Sequence, residues 1–291
     1  MTDVLAERLE PLRNLPDRLA ERSNLDRLAR PVREAVSRRV APGSELNTAL
    51  AGTWLGHPLH PLLTDVVIGA WSAAAVVDLV GGRSGHPHAR RLVGLGLIAG
   101  LPTAASGLND WSTLVEGPAR IGAVHGATNA AGTVLMAASW WARLRHHWMR
   151  GRVLSLAGLG LVALGGFLGG DLTYRRAIGV DQTATLSGEG DWTAVADESD
   201  LTEGSPALVK VGDMDVVLVK AGGVVRALAD RCAHQGGPLH EGKVDAGCVT
   251  CPWHSSRFRL SDGAALSGPT AHPQPVLQVR TVDGKIEVRR R

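Results

Sequence analysis

Two short stretches near the C-terminal end carry the residues best suited to hold a metal. Cys232-Ala233-His234 and Cys251-Pro252-Trp253-His254 each offer one thiolate and one imidazole, with 16 residues between His234 and Cys251. Soft thiolates and borderline imidazoles suit iron or zinc. Two Cys on one iron and two His on the other is the ligand set of one class of [2Fe-2S] cluster. The same four residues could also close a tetrahedral zinc site. The third cysteine, Cys248, falls in a strand-like run and reads as a buried thiol. Three cysteines in 291 residues exclude a disulfide framework.

The elements around these loops read as short strands: Ala207–Val211, Asp215–Lys220, Val224–Ala229, Val249–Cys251, Arg257–Leu260, Val276–Arg280 and Lys285–Val288, separated by Gly-Gly, Asp-Gly and Pro-containing turns. This pattern predicts an all-β antiparallel sandwich or barrel over residues 181–291. Upstream the composition is different. Residues 1–181 hold 19 Arg, no Lys and 14 acidic residues, whereas all four Lys lie beyond residue 181. The Arg cluster around apolar runs without interleaved aromatic residues, which points to a membrane rather than nucleic acid. No formal charge occurs between Arg91 and Asp110, between Arg120 and Arg143, or between Arg152 and Asp171. Each window approaches the ~20 residues a spanning helix needs. Leu62–Val80 is a weaker fourth, with Asp65 and Asp78 near its ends. Gly94, Gly96, Gly100, Gly158, Gly160, Gly165 and Gly166 suit close helix packing in lipid. Residues 53–180 therefore predict an all-α four-helix transmembrane bundle. Trp140, Trp141 and Trp148 stand at a membrane interface.

If the helices alternate in direction, His57, His60, Asp65, Asp110, His125, Asn129 and Asp171 share one membrane face, together with both termini. Ionisable groups in spanning segments are costly and mark sites. His57, His60 and His125 are thus candidates for a quinone or haem, with His60 and His125 the best facing pair, although capping and packing alone could explain them. Residues 1–52 form an Arg-rich arm, partly amphipathic helix, either solvated through intrahelical ion pairs or laid on the anionic leaflet. The arm has no apolar core of a signal peptide.

The flanks of the two loops narrow the chemistry. His234-Gln235-Gly236-Gly237-Pro238-Leu239 and Cys251-Pro252-Trp253-His254-Ser255-Ser256-Arg257-Phe258 closely resemble the Rieske family, as does Gly268-Pro269 with Pro273 and Pro275, the proline-rich loop that covers the cluster. The resemblance, over about residues 191–290, implies a Rieske [2Fe-2S] cluster with Cys232 and Cys251 on one iron and His234 and His254 on the other. High-potential respiratory members have a disulfide between Cys at the positions of Gly237 and Trp253, and a Tyr at the position of Phe258. Ser256 matches their hydroxyl donor, and Ser255 replaces a usual Gly. The pattern is that of the ferredoxins of aromatic-ring dioxygenase systems.

Residues 53–180 resemble a widespread bacterial family of four-helix membrane proteins of unknown function, on His57-Pro58-Leu59-His60-Pro61-Leu62, Asp78, Asp110-Trp111, His125 and Asn129. Together the resemblances imply a multi-domain, multi-pass cell-membrane protein. Its expected role is that of an electron-transfer component of an oxidoreductase, carrying one electron to or from a membrane-bound or quinone-type partner. The alternative is a cluster-based redox sensor or interaction protein. Only about 37 residues follow His254, too few for the mononuclear-iron domain of a complete ring-hydroxylating oxygenase. Arg counts in the loops do not orient the bundle. Cluster assembly and the missing disulfide place the Rieske domain in the cytoplasm.

Overall fold

The computed structural model describes residues 2–186 and 188–290, with side chains from Arg8 onward. The chain divides into two compact units, residues 1–39 with 59–178 and residues 40–58 with 179–291.

The first unit is helical. It comprises α1 (Thr2–Arg13), α2 (Leu15–Glu21) and α3 (Asp26–Arg39), then four long helices. α4 (Glu45–Ala51) belongs to the other unit. The long helices are α5 (Leu59–Val80), α6 (His86–Ser112), α7 (Glu116–Leu144) and α8 (Trp148–Gly170), the last continued by a π-helical turn, Asp171–Arg175. The four long helices are those expected within residues 53–180, and with the three helices of the arm the described residues of this unit hold seven α-helices. α5, α6 and α8 are long and apolar enough to cross a membrane. α7 does not reach that apolarity, because His125, Thr128, Asn129, Thr133 and Ser139 interrupt its uncharged window. The expected weak candidate at 62–80 is thus stronger than the charge-free run at 120–143.

The four long helices close around Val67, Trp71, Ala74, Val93, Met136 and Val162. Small residues make the close approaches. The Trp71 indole donates to the Val93 carbonyl at 3.2 Å and lies over Gly96, where any Cβ would collide with it. At one end Arg143, fully buried, grips Asp78 with both guanidinium nitrogens (2.9 and 2.5 Å) and also reaches Ser139 and Ser155. A charge in such a place persists only when paired and hydrogen-bonded.

The arm neither pairs its charges within its own helices alone nor stands off as a separate amphipathic element. Arg120 of α7 holds Asp26 in a two-point contact (2.9 and 2.8 Å) and donates to the Ala20 carbonyl. Arg175 and Arg176 hold Asp17. These partners keep the Asp17 and Asp26 carboxyls below the usual carboxylate range, mainly through the Arg hydrogen bonds. Leu15, Leu19 and Ala20 add apolar contacts to Ile121, Leu168 and Leu172.

Among the described residues the second unit carries ten strands, β1 (Thr193–Asp197), β2 (Pro206–Val211), β3 (Met214–Ala221), β4 (Val224–Ala229), β5 (Lys243–Asp245), β6 (Cys248–Thr250), β7 (Arg257–Arg259), β8 (Ala265–Ser267), β9 (Val276–Val282) and β10 (Lys285–Arg289). They form two antiparallel sheets, a six-stranded one in the order β1-β10-β9-β4-β3-β2 and a four-stranded one, β5-β6-β7-β8. Of these, β1, β5 and β8 are not visible in the sequence pattern. Two-residue turns at Gly222-Gly223 and Asp283-Gly284, all at positive φ, set the β3–β4 and β9–β10 hairpins. β3 is buried on both faces. Val217 and Val219 point into one core with Leu239, Val249 and Phe258, while Val216 and Leu218 point into the other with Leu277, Ile286 and Val288. The period of two puts alternate residues on opposite faces. The first of these cores also contains Cys232 and Cys251.

Candidate metal centre

The two loops that carry Cys232 with His234 and Cys251 with His254 are built on one design. The Cys232 amide donates to the Gly237 carbonyl (2.9 Å) and its carbonyl accepts from Gly236 (2.8 Å). The Cys251 amide donates to the Ser256 carbonyl (2.8 Å) and its carbonyl accepts from Ser255 (3.1 Å). Each loop thus turns back on its cysteine through a left-handed residue four positions on, Gly236 at φ +76° and Ser255 at φ +63°. That conformation is the physical reason a glycine suits position 255, and Ser255 adopts it at a steric cost. In each loop two amides point at sulfur, those of His234 and Gln235 at Cys232 and those of Trp253 and His254 at Cys251.

The loops meet with like residues facing. The thiols of Cys232 and Cys251 are hydrogen-bonded to each other. The rings of His234 and His254 lie 5.0 Å apart, edge to face. The shared hydrogen bond brings the Cys251 thiol down to about 7 and pushes that of Cys232 well above its ordinary value. Burial, reinforced by His254 and His272, lowers the His234 imidazole to about 3. That ring is therefore neutral at pH 7, as a metal ligand must be. Its Nδ1 is buried without a hydrogen-bond partner among the described residues. Buried polar atoms are almost always satisfied, so an orphaned ring nitrogen at this place fits a site built to receive a bound group. Thiol paired with thiol and imidazole with imidazole fit a two-iron cluster.

The surroundings account for the departures from the high-potential pattern. A Cβ on Gly237 would stand 3.0–3.1 Å from the Trp253 ring and 2.9 Å from the Cys251 sulfur, so the two positions of the absent disulfide do touch and Trp253 fills the space. Phe258 is fully buried beside Cys232 and Cys251. Cys248 is buried on β6, its thiol 3.6 Å from the Ala246 carbonyl. Two contributors escaped the sequence reading. Gln274 ties the proline-rich loop to the first metal-binding loop: its Oε1 accepts from the Ala233 amide, and its Nε2 donates to the carbonyls of Ala229 and Arg231. His272 lies close enough to His234 to oppose its protonation. A lone Gln and a lone His in a proline-rich stretch carry no local signal for either role.

Of the candidates in the helical unit, His60 and His125 come together, with ring centroids 6.3 Å apart. The His60 Nδ1 donates to the Thr103 carbonyl (3.0 Å), and the His125 Nδ1 donates to the Gly165 carbonyl (2.7 Å). Because a carbonyl only accepts, both Nδ1 atoms carry a proton, and in the neutral rings the Nε2 atoms present a lone pair. The lone pair of His125 accepts from the Asn129 amide at 3.2 Å. Each ring lies against a glycine, Gly107 for His60 and Gly169 for His125. The other candidates have partners of their own or are exposed. Asp171 is held by Arg175 and Arg176, Asp110 pairs with Asn109, Asp65 is exposed, and His57 is exposed on the segment that folds with the β unit.

Comparison with known families agrees with both halves. Residues 191–282 match the Rieske [2Fe-2S] domain, and residues 56–182 match a family described as predicted membrane protein (DUF2231). Over 105 residues the chain is 33% identical to the anthranilate 1,2-dioxygenase ferredoxin subunit of Burkholderia cepacia, covering 36% of this chain and 94% of that protein. It is also 33% identical over 95 residues to the cytochrome b6-f complex iron-sulfur subunit of Chlorobaculum tepidum, covering 33% of this chain and 51% of that one. Among solved structures, the ferredoxin of carbazole 1,9a-dioxygenase from Nocardioides aromaticivorans IC177 matches at 27% identity and a TM-score of 0.34, over 35% of this chain and all of that one. The chain thus belongs to the Rieske [2Fe-2S] family, and its Rieske domain shares one polypeptide with a DUF2231 domain.

Proposed function

We propose that this chain is a membrane-anchored one-electron carrier in which Cys232 and Cys251 hold one iron of a [2Fe-2S] cluster and His234 and His254 hold the other. The observation that carries this reading is the pairing of thiol with thiol and imidazole with imidazole by two loops of one design. When bound, such a cluster takes up and returns a single electron. The chain's own part is to supply four amides aimed at the two sulfurs, a neutral His234, and a water-poor core around Phe258. Hydrogen bonds to sulfur and exposure set the potential within the family range of roughly −150 to +300 mV. Without a hydroxyl at position 258, the value belongs in the lower part of that range.

The DUF2231 domain and the apolar helices α5, α6 and α8 support a multi-pass anchor in the cell membrane. Gly237 and Trp253 stand where the disulfide cysteines of the high-potential members would, and a cluster without that disulfide suits a reducing compartment and so a cytoplasmic Rieske domain. A quinone-type partner in the membrane is supported by the Nε2 lone pair of His60, a proton acceptor inside an apolar bundle. A haem held by both histidines is less well supported, since Asn129 engages the His125 Nε2. The named roles of the relatives, a dioxygenase ferredoxin and a b6-f subunit, extend the choice of partner to a membrane or soluble redox protein.

Replacing His234 or His254 with Cys or Ala abolishes the Rieske-type paramagnetic signal of the reduced, membrane-inserted protein. A wild-type protein that contains zinc and no iron ends this reading.

A further inference from the structure

Residues 40–58 fold with the β unit although they lie between helices of the other unit in sequence. Their short helix α4 starts at Ser44, whose hydroxyl accepts the Asn47 amide, and stops at Gly52 at φ +83°. The segment is fastened to the proline-rich loop at two points. The Gly268 amide donates to the Thr48 hydroxyl oxygen at 3.1 Å, and that hydroxyl donates onward to the Ser44 carbonyl. The Thr53 hydroxyl donates to the Thr270 carbonyl at 2.6 Å. Packing is close at both ends. A Cβ on Gly268 would stand 3.1–3.3 Å from Thr53, Ala51 and Asn47, and one on Gly43 would stand 3.3 Å from Ser255.

The fastening continues inward. The Thr270 amide donates to the Ser256 hydroxyl oxygen at 3.3 Å, and both residues are buried. An oxygen that accepts this amide keeps its own hydrogen for another acceptor. Ser256 closes the second metal-binding loop through the Cys251 amide, and it is the residue matched to the family's hydroxyl donor. The Thr53 hydroxyl holds the Thr270 carbonyl and the Ser256 hydroxyl holds the Thr270 amide, so the Thr270 backbone links the segment to the loop that Ser256 closes on Cys251.

We propose that Thr53, aided by Thr48, is a positioning residue that fixes the Ser256 hydroxyl by holding the Thr270 backbone in place, so that the segment leading into the first long apolar helix tunes the potential of the cluster. This inference rests on the cluster reading above. It gives the 40–58 segment a role in electron transfer that neither matched domain supplies, because residues 40–55 precede both matches. It also means that one covalent stretch, running from Pro58 into α5 at Leu59, serves both the anchor and the cluster loop.

The test uses the full-length, cluster-loaded chain in membranes, with Thr53→Val, Thr53→Ser, Ser256→Ala and the Thr53→Val/Ser256→Ala double variant. Two quantities are read: the midpoint potential from titration of the paramagnetic signal, and deuterium uptake of the peptide spanning Gly268–Thr270. Thr53→Val lowers the potential by at least a third of the Ser256→Ala shift and speeds uptake, while Thr53→Ser keeps both near wild type. In the Ser256→Ala background, Thr53→Val moves the potential no further. An undiminished shift in that background, or faster uptake with an unchanged potential, overturns the proposal by showing that the segment only packs. Absence of a paramagnetic signal in the wild type overturns the cluster reading instead, and unchanged uptake in Thr53→Val then overturns the clamp separately.

Discussion

Phe258→Tyr tests the reading of the metal centre with two independent quantities. Phe258 is fully buried on β7, opposite Val249 and in one core with Cys232, Cys251 and Leu239. A hydroxyl added there meets one of two fates. It reaches a ligand sulfur, or it is buried without a partner. Hydrogen bonds to charged acceptors contribute about 1.5–3 kcal/mol. If roughly 1 kcal/mol of that appears only when the cluster gains its electron, the potential rises by about 40 mV, taking 59 mV per tenfold for one electron. An unpaired hydroxyl instead costs about 1–3 kcal/mol of stability, which lowers the Tm of a small domain by several degrees or more. The assay is a redox titration of the paramagnetic signal beside a thermal melt of the same preparation. A raised potential with a nearly unchanged melt supports the geometry. A lowered melt with an unchanged potential refutes it, since the aromatic ring would then point away from the sulfurs.

The Rieske domain was legible because its motif is local. Each Cys–His pair sits within four residues, and the Gly or Pro neighbours that shape the loop are contiguous with it. The meeting of His60 and His125 was also legible, since alternating helix directions bring the start of one run beside the start of the next but one. What the sequence hid depends on partners far away along the chain. Arg120 reads as a loop charge in any count of membrane-flanking Arg, yet it is committed to Asp26, 94 residues earlier. Thr53 reads as the first residue of the helical domain, yet its partner, Thr270, is 217 residues later. Nothing local distinguishes α4, capped by Ser44 and ended by Gly52, from the helices before it. β5 and β8 are three residues each, too short to show a period of two, and β1 is interrupted by a register shift between Ala194 and Ala196. The misjudged ranking of α5 and α7 has another cause: absence of formal charge is not apolarity, and α7 spends its window on His, Asn, Thr and Ser.

The remaining predictions probe both units. Arg143→Met strands Asp78 in the bundle and costs about 3–5 kcal/mol, as loss of one partner of a buried pair does, nearer the lower figure because Arg152 remains 3.6 Å from Asp78; adding Asp78→Asn restores most of it in a denaturant titration, and equal losses in the single and double variants contradict the pairing. Ser255→Gly relieves the left-handed strain and raises the unfolding free energy of the Rieske domain by about 1 kcal/mol, unless a melt shows that the lost Ser255 side chain mattered more against Gly43. Asn129→Ala removes the donor to the His125 Nε2 and lowers thermal stability without altering quinone-dependent reoxidation of the cluster. His60→Ala, by contrast, abolishes that reoxidation while the paramagnetic signal persists, because the proton-accepting Nε2 is gone. Gly107→Ala makes the argument sharper. It keeps the imidazole but sets a Cβ 2.6 Å from the His60 Cε1, so the ring must move away from the Thr103 carbonyl that fixes its tautomer. A site role then predicts impaired reoxidation in both variants, measured with a short-chain quinone in membranes. If both reoxidise normally and lose only thermal stability, His60 is a packing residue and the partner of the cluster lies elsewhere.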